Sequence, residues 1–238
     1  MGAGGFARET AQLVHAINDQ HPTWELLGYL DDDKTKRGST IDGAVVLGTT
    51  AELERFNAPA VVVCVGSPRN YAARMRIVER LGLPADRYAT LVHPLAAISR
   101  SSTVGPGSVI HAGCVLTAAV AVGAHVALMP QVVLTHDDRV GDYATFGAGV
   151  RLAGGVCVGE GAYVGSATAV REELSIGDWS LVGMGSVVTR AVPCGEVWAG
   201  VPARFVRMAD PAGTRQEQDG ARPTPVRPSA DSRVGLTL

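Results

Sequence analysis

A histidine and two carboxylates stand together in Leu134-Thr-His-Asp-Asp-Arg139. An imidazole can take a proton from a hydroxyl or an amine at neutral pH. A neighbouring carboxylate, Asp137 or Asp138, can hold the His136 ring and favour its charged form. Eighteen residues further on stands Gly154, in Ala153-Gly154-Gly155. Its N–H has no side chain in front of it and can donate to an oxygen that develops negative charge. The nearest thiol in sequence, Cys157, has no polar neighbour to make it a thiolate. The expected chemistry is therefore direct attack by a substrate nucleophile, without a covalent enzyme intermediate. Two other histidines, His111 and His125, are read as structural, and no H-x-x-x-H pair points to a metal.

The interval of eighteen matters because of what surrounds it. From Ile98 to Val188 the chain carries an apolar residue every six positions, sixteen times without an insertion. At 46% apolar composition, chance gives this in roughly a few trials per million, by the match-counting that periodicity requires. The fifth residue of each block is Ala, Ser, Thr, Cys or Val in fourteen of the sixteen, with Asp138 and Leu174 the exceptions. The second is Gly in eight blocks, among them Gly105, Gly123, Gly141 and Gly159. These second-position glycines are expected to supply the positive φ that a tight corner needs. A six-residue period reads as a parallel β-helix. The picture is a three-sided prism in which each block gives a short strand and a corner. Three blocks make a coil, and coils stack about 4.8 Å apart into a rod roughly 25 Å long. Residues eighteen apart then lie one above another, so His136 and Gly154 fall on neighbouring coils of one corner.

Residues 1–93 do not follow the six-residue register. Gly2, Gly4 and Ala7 fit the glycine turn that opens a Rossmann-like βαβ unit. The spacing predicts a helix from Phe6 to Ile17, strands over Trp24–Leu30, Val45–Leu47, Ala60–Val65 and Tyr88–Val92, and helices from a Thr49–Glu52 capping box and from Ser67-Pro68 to Leu81. Alternating strands and helices mean a small α/β half domain with a parallel sheet. Asp31 and Asp32 end a strand somewhat more than twenty residues after the glycine turn, where such an acid takes a ribose hydroxyl. The size suits a single nucleotide. Only Met1 precedes the glycine turn, so the central strand of the sheet is missing. The expectation is a natural start upstream, or else a gap between Trp24–Leu30 and Ala60–Val65 and a loosened small domain.

The chain of 238 residues has a net charge of −2 and 18% charged residues. It lacks the basic footprint of nucleic-acid binding, a membrane-length apolar run and a charged-then-apolar signal segment. Cys64, Cys114, Cys157 and Cys194 read as buried small hydrophobes in a reducing, cytoplasmic setting. Residues 94–207 form the prism. Residues 208–238 turn to Pro, Arg, Asp, Gln and Gly and are expected to be disordered.

Several motifs occur in a fixed order: Gly2-Ala-Gly-Gly5-Phe6-Ala-Arg-Glu9, Gly28-Tyr-Leu-Asp31-Asp32, Leu91-Val-His-Pro94, His136-Asp137 and Gly200-Val-Pro-Ala-Arg204. With the prism, they resemble the sialic acid O-acetyltransferase family of hexapeptide-repeat sugar acyltransferases, which includes enzymes acting on nucleotide-linked 4-amino sugars such as bacillosamine and perosamine. The resemblance implies a left-handed β-helix, a homotrimer with active sites between neighbouring prisms, and acetyl-CoA as co-substrate in the groove between them. It makes His136 the catalytic base with Asp137 beside it, and Gly154 the backbone donor to the acetyl carbonyl. It makes Gly2, Gly4, Gly5, Asp31 and Asp32 the nucleotide-sugar site. Two positions differ: Thr145 stands where some amino-sugar members carry a second histidine, and Phe6 where some carry a histidine in the glycine turn. Two other readings are a zinc hydro-lyase like the gamma-class carbonic anhydrases, using His111, His125 and His136, and a non-enzymatic scaffold with a nucleotide-sensing domain.

Overall fold

The structure, a computed structural model, describes residues 1–56 and 58–213. Two-residue strands recur every six residues from Leu91–Val92 to Val187–Val188. Each face stacks strands eighteen residues apart in parallel, as in Ala127↔Thr145, Val115↔Val133 and Arg139↔Cys157. The first face begins at Leu91–Val92 and is closed by Glu196–Gly200 and Ala203–Met208; the others hold six and five strands. The prism therefore starts one block earlier than Ile98, with Val92 in register beneath Ile110. First- and fifth-position residues fill the interior: Ile110, Leu128, Phe146 and Val164 are buried, as are Val132, Ala144, Val150 and Ala162.

The corners differ from the expectation. Positive φ falls on the fourth residue of the block, as at Gly107, His125, Asp137, Tyr143 and Gly155. Left-handed backbone costs a non-glycine residue roughly 1–2 kcal/mol. Here most such N–H groups are captured by the third-position carbonyl one coil below, as in His125 to Pro106, Asp137 to Ala118 and Gly155 to His136. The ladder of corners holds the strained conformation, so glycine is optional there. The second-position glycines serve close stacking instead. A Cβ on Gly105 would lie 2.6 Å from the carbonyl carbon of Gly123, and one on Gly141 would lie 2.7 Å from the amide nitrogen of Glu160.

In the N-terminal part, helix α1 spans Gly5–Gln20 and buries Ala7, Ala11, Leu13 and Val14. Leu13 and Val14 pack on Leu91 and Val109 of the prism's first face. The Thr49–Glu52 capping box forms, but it opens a short 3-10 turn, Thr50–Arg55. Helix α2 spans only Ala73–Leu81 and is stopped by Gly82 in the left-handed conformation. Among the described residues the N-terminal sheet has three strands and is mixed: Tyr29–Leu30, Ala44–Gly48 and Thr40–Ile41. Trp24–Gly28 is not a strand, and Ala60–Val65 makes a single bridge, Val61 with Tyr88. The reason is the missing neighbour. Met1 and Gly2 alone lie between the two segments: the Met1 amine donates to Val62 O, Cys64 N to Met1 O and Gly2 N to Leu30 O. Beyond them is an apolar cavity of about 350 Å³, lined by residues including Ala11, Val14, Leu26, Leu30, Val61 and Val62. Without a ladder to join, both segments lose strand character.

Helix α2 is fastened to the prism by Arg74, which is buried and has no carboxylate partner among the described residues. Its Nη2 donates to the carbonyls of Tyr143 (2.7 Å) and Ala144 (3.2 Å) and to Thr145 Oγ1 (2.5 Å). Burial lowers its pKa to about 10. Tyr71 Oη donates to Trp179 O across the same seam. Residues 209–213, expected to be disordered, fold back instead: Ala209 N donates to Gly195 O and Ala72 N to Pro211 O. The rest of the expected disordered tail, 214–238, lies outside the described residues. Cys64 and Cys114 are buried as expected; Cys157, at an outward sixth position of its block, and Cys194, in a turn after the last block, are exposed.

The cavity is bordered by Met1, Leu30, Val61 and Val62. Four or five apolar β-branched residues added before Met1 should raise the melting temperature by several degrees, since each restored ladder bond contributes about 0.5–1.5 kcal/mol. Equal melting of the extended and 238-residue chains would show that the cavity does not receive a strand.

Candidate active site

The corner that follows strand Val133–Leu134 carries the polar cluster. His136 Nδ1 lies 2.9 Å from Asp137 Oδ2, and both side chains are about two-thirds exposed, at 68% and 69%. Asp137 occupies the left-handed position with φ 64°. This turns its carboxylate back along the chain to the ring that precedes it. With Nδ1 engaged, the acceptor or donor left for chemistry is Nε2. Asp137, not Asp138, is thus the carboxylate that holds the ring.

Gly154 stands directly over His136. A Cβ there would meet Cε1 and Nε2 of the ring at 2.3 Å. The coils are tied at this corner by Gly155 N donating to His136 O at 2.9 Å. Gly154 N has no acceptor among the described residues, whereas the N–H groups on either side are used. A base nitrogen and a backbone N–H without an acceptor among the described residues are therefore held on two stacked corners. The pair can remove a proton from a nucleophile and steady the negative oxygen of a tetrahedral intermediate.

Asp138 points inward and is fully buried. Its carboxylate accepts from Thr135 N and from Val156 N, each at 2.8 Å. Burial raises its pKa to about 6, against the lowering effect of those two N–H groups and of His136.

His111 and His125 take no part in this cluster. His111 is buried beside Phe6, with ring centroids 6.1 Å apart, and burial, then the charge of His93, lowers its pKa to about 4. His125 is buried between Tyr88 and Tyr143, stacked on the latter at 5.2 Å; burial, then Arg74, lowers its pKa. The three histidines lie at three different corners of the prism, so the zinc-ligand set of the hydro-lyase reading does not assemble within the chain. Among the described residues no group of three or more His, Cys, Asp or Glu is placed to hold a metal.

The glycine turn and the acids also come together in part. Asp31 accepts from Ala3 N at 2.8 Å, from Asp33 N at 2.9 Å and from Lys36 Nζ at 2.9 Å. Burial opposes its charge, but the Asp33 N–H, Lys36 and the Ala3 N–H outweigh it and hold the carboxyl below the usual range. Asp32 turns to Thr50 and to Arg80, whose Nη2 is 2.7 Å away. Burial again opposes the charge, and the Thr50 hydroxyl leads the groups that lower its pKa. Gly2 has φ 90°, with a Cβ position 2.9 Å from Cys64 O; Gly4 and Gly5 face open space. Gly4 caps α1 without a side-chain bond, so the first N–H groups of the helix are open to an anion. Arg74 escaped the sequence reading, since an arginine within a helical pattern reads as a solvated face.

A family model, the PglD N-terminal domain, matches residues 1–81. The chain is 36% identical over 117 residues to UDP-N-acetylbacillosamine N-acetyltransferase of Bacillus subtilis, a match covering 47% of this chain and 50% of that enzyme. It is 29% identical over 160 residues to GDP-perosamine N-acetyltransferase of Escherichia coli O157:H7, covering 64% and 68%. The acetyltransferase domain of PglB from Neisseria gonorrhoeae FA1090, solved with acetyl coenzyme A, superposes with a TM-score of 0.76 at 28% identity, covering 86% of this chain and 96% of that one. The resemblance to sugar acyltransferases is thus borne out over both the N-terminal part and the prism.

Gly154→Ala should lower the turnover of this site at least tenfold, because the added methyl drives the His136 ring out of line. Melting should change little, since the exposed ring can swing into solvent. Unchanged turnover would separate Gly154 from the chemistry.

Proposed function

We propose that this chain transfers the acetyl group of acetyl-CoA to the amine of a nucleotide-linked amino sugar. The observation that carries the reading is the stacking of Gly154, with its free N–H, over the His136 imidazole. The names and bound ligand of the relatives supply the substrate classes. The amine nitrogen attacks the thioester carbonyl carbon while His136 Nε2 takes its proton. Asp137 keeps the ring oriented and stabilises the imidazolium. Gly154 N–H donates to the carbonyl oxygen as it becomes an oxyanion. The tetrahedral intermediate collapses with cleavage of the C–S bond, and the proton on His136 passes to the departing CoA sulfur.

The nucleotide lies at the turn Gly2, Gly4 and Gly5, against the open N-terminus of α1, with Asp31 and Asp32 at the strand end as the acids of that site. The working molecule is a homotrimer in the cytoplasm, where acetyl-CoA is made. Support for assembly comes from the exposure of His136 and Asp137. A site that must exclude water while an amine is acylated needs a second wall, and one prism offers only one. Acetyl-CoA lies in the groove between prisms, toward the later coils.

His136→Ala should reduce acetyl transfer by ~10² or more while acetyl-CoA still binds in a calorimetric titration. The acceptor is found by following acetyl-CoA consumption over UDP-, GDP- and dTDP-linked amino sugars, with free sugars and serine as controls. A wild-type protein that consumes acetyl-CoA with none of the nucleotide sugars would defeat the reading. Normal turnover by the alanine variant would remove His136 from the mechanism.

A further inference from the structure

The fifth position of each block faces the interior and takes Ala, Ser, Thr, Cys or Val, with two exceptions, Asp138 and Leu174. One of them, Asp138, places a carboxylate in a hydrocarbon core directly behind the His136 corner. Its neighbours in the column are Val132, Ala144, Val150 and Val156, all buried. A carboxylate has no reason to be there for stability, because burying a charge costs more than packing an apolar side chain of similar size. What it does there is geometric. Oδ2 accepts from Thr135 N on its own corner, and Oδ1 accepts from Val156 N on the coil above, each at 2.8 Å.

Other fifth-position N–H groups show what is unusual. Val150, Ala162, Thr168 and Ser180 each donate to the carbonyl three residues before them, over 3.3–3.4 Å. Those long bonds stay within one corner. Val156 N instead crosses between coils to Asp138. Ser102 and Ser108 make a comparable crossing, accepting from Val120 N and Val126 N, but with a neutral hydroxyl and far from His136. Val156 lies two residues after Gly154, and Thr135 lies one before His136. With the bond from Gly155 N to His136 O, the base corner and the oxyanion corner are joined on both sides of the Gly154–His136 contact.

We infer that Asp138 is a positioning residue of the acyl-transfer site: its buried carboxylate clamps the corner that carries the base to the corner that carries the oxyanion donor. The inference rests on the acyltransferase reading above. The clamp is charge-assisted, and such bonds are shorter and stronger than neutral ones, which suits a contact that must fix Gly154 N–H relative to Nε2. Protonation of the carboxyl removes one acceptor and turns it into a donor facing an N–H. The charged and titratable groups nearest the clamp are His136 and Asp137, of which His136 favours its ionised form and Asp137 opposes it.

Asp138→Ser keeps a hydroxyl of the kind found at Ser102 and Ser108. Asp138→Asn keeps the shape but sets an NH₂ against one of the two N–H groups. Both variants should lose kcat tenfold or more with the KM values for acetyl-CoA and acceptor within about twofold, following the precision that oriented groups require. The carboxyl is held protonated more readily in the folded chain than in the unfolded one. Its contribution to stability is therefore present at low pH and lost as pH rises through about 6. Relative to wild type, Asp138→Ser should accordingly melt higher at pH 8 than at pH 5. The acid limb of log kcat against pH should be steeper in wild type than in the serine variant, because only wild type loses the ionised Asp138 carboxylate as pH falls through about 6.

Wild-type kcat in either variant overturns the inference, as does a loss of kcat matched by a loss of melting temperature at pH 8. An assay-independent arm separates this from failure of the acyltransferase reading. Amide hydrogen exchange at Thr135 and Val156 should be slow in wild type and fast in Asp138→Ala, which leaves neither N–H an acceptor, whatever the substrate. Unchanged protection at both amides shows that no clamp exists.

Discussion

The whole prism rests on one spacing: every residue sits about 4.8 Å below the residue eighteen positions later. That distance is too short for a Cβ at the second position of many blocks, where Gly105, Gly123 and Gly141 meet the backbone of the next coil. It is short enough for fourth-position N–H groups to reach third-position carbonyls on the coil below, and that ladder keeps His125, Asp137 and Tyr143 in left-handed backbone. The site inherits this precision. Gly154 lies over His136 because both occupy the same place in successive coils, and Asp137 turns toward the ring because its block position is the left-handed one. The ordinary geometry of the fold makes the constellation, with Asp138 as its one local addition.

The N-terminal part depends on the prism more than the prism depends on it. Its sheet is small and mixed, and the space beside Met1 and Gly2 holds a cavity where a central strand would run. What fixes it is contact with the first face: Leu13 and Val14 against Leu91 and Val109, and Arg74 against the carbonyls of Tyr143 and Ala144. A buried guanidinium without a carboxylate partner is costly. It survives here because one Nη2 meets three oxygens at the chain reversal of a coil. Thr145 is the last of these, standing where some amino-sugar acetyltransferases carry a histidine. In this chain the position serves domain attachment.

How much could be read in the sequence follows from which interactions are periodic. The six-residue register gave the prism, its faces and the coincidence of His136 with Gly154, because each is a statement about position modulo six or eighteen. The roles of the second and fourth positions were exchanged in that reading. Glycine frequency alone does not distinguish a residue that needs positive φ from one that has no room for a Cβ. The strands expected over Trp24–Leu30 and Ala60–Val65 carried the right composition, but strand character is a property of pairs, and their shared partner is reduced to Met1 and Gly2. Asp138 was visible as a break in the small-residue column, though its partners, two backbone N–H groups, leave no mark in sequence. Arg74 left none either, since its burial depends on a carbonyl cluster some seventy residues away.

The exposure of His136 and the burial of Asp138 divide the site into two parts with different constraints. The inner part, from Asp138 through the Thr135 and Val156 amides to the Gly154 corner, is surrounded by packed core and cannot shift without disturbing neighbouring coils. The outer part, His136 and Asp137, projects into solvent and needs another surface to exclude water. Under the proposed function, the inner frame fixes the two corners from which the base and the oxyanion donor act on any acceptor. Under that function, choice of acceptor falls to what is brought against it: the glycine turn, Phe6 beside His111, and the groove that a second prism of the proposed trimer would add. On such a scaffold an acceptor can change by substitution at the outer wall while the proton transfer and the oxyanion donor stay in place. Phe6 and Thr145, two positions where some amino-sugar acetyltransferases of the resembled family carry histidine, both lie outside that inner frame.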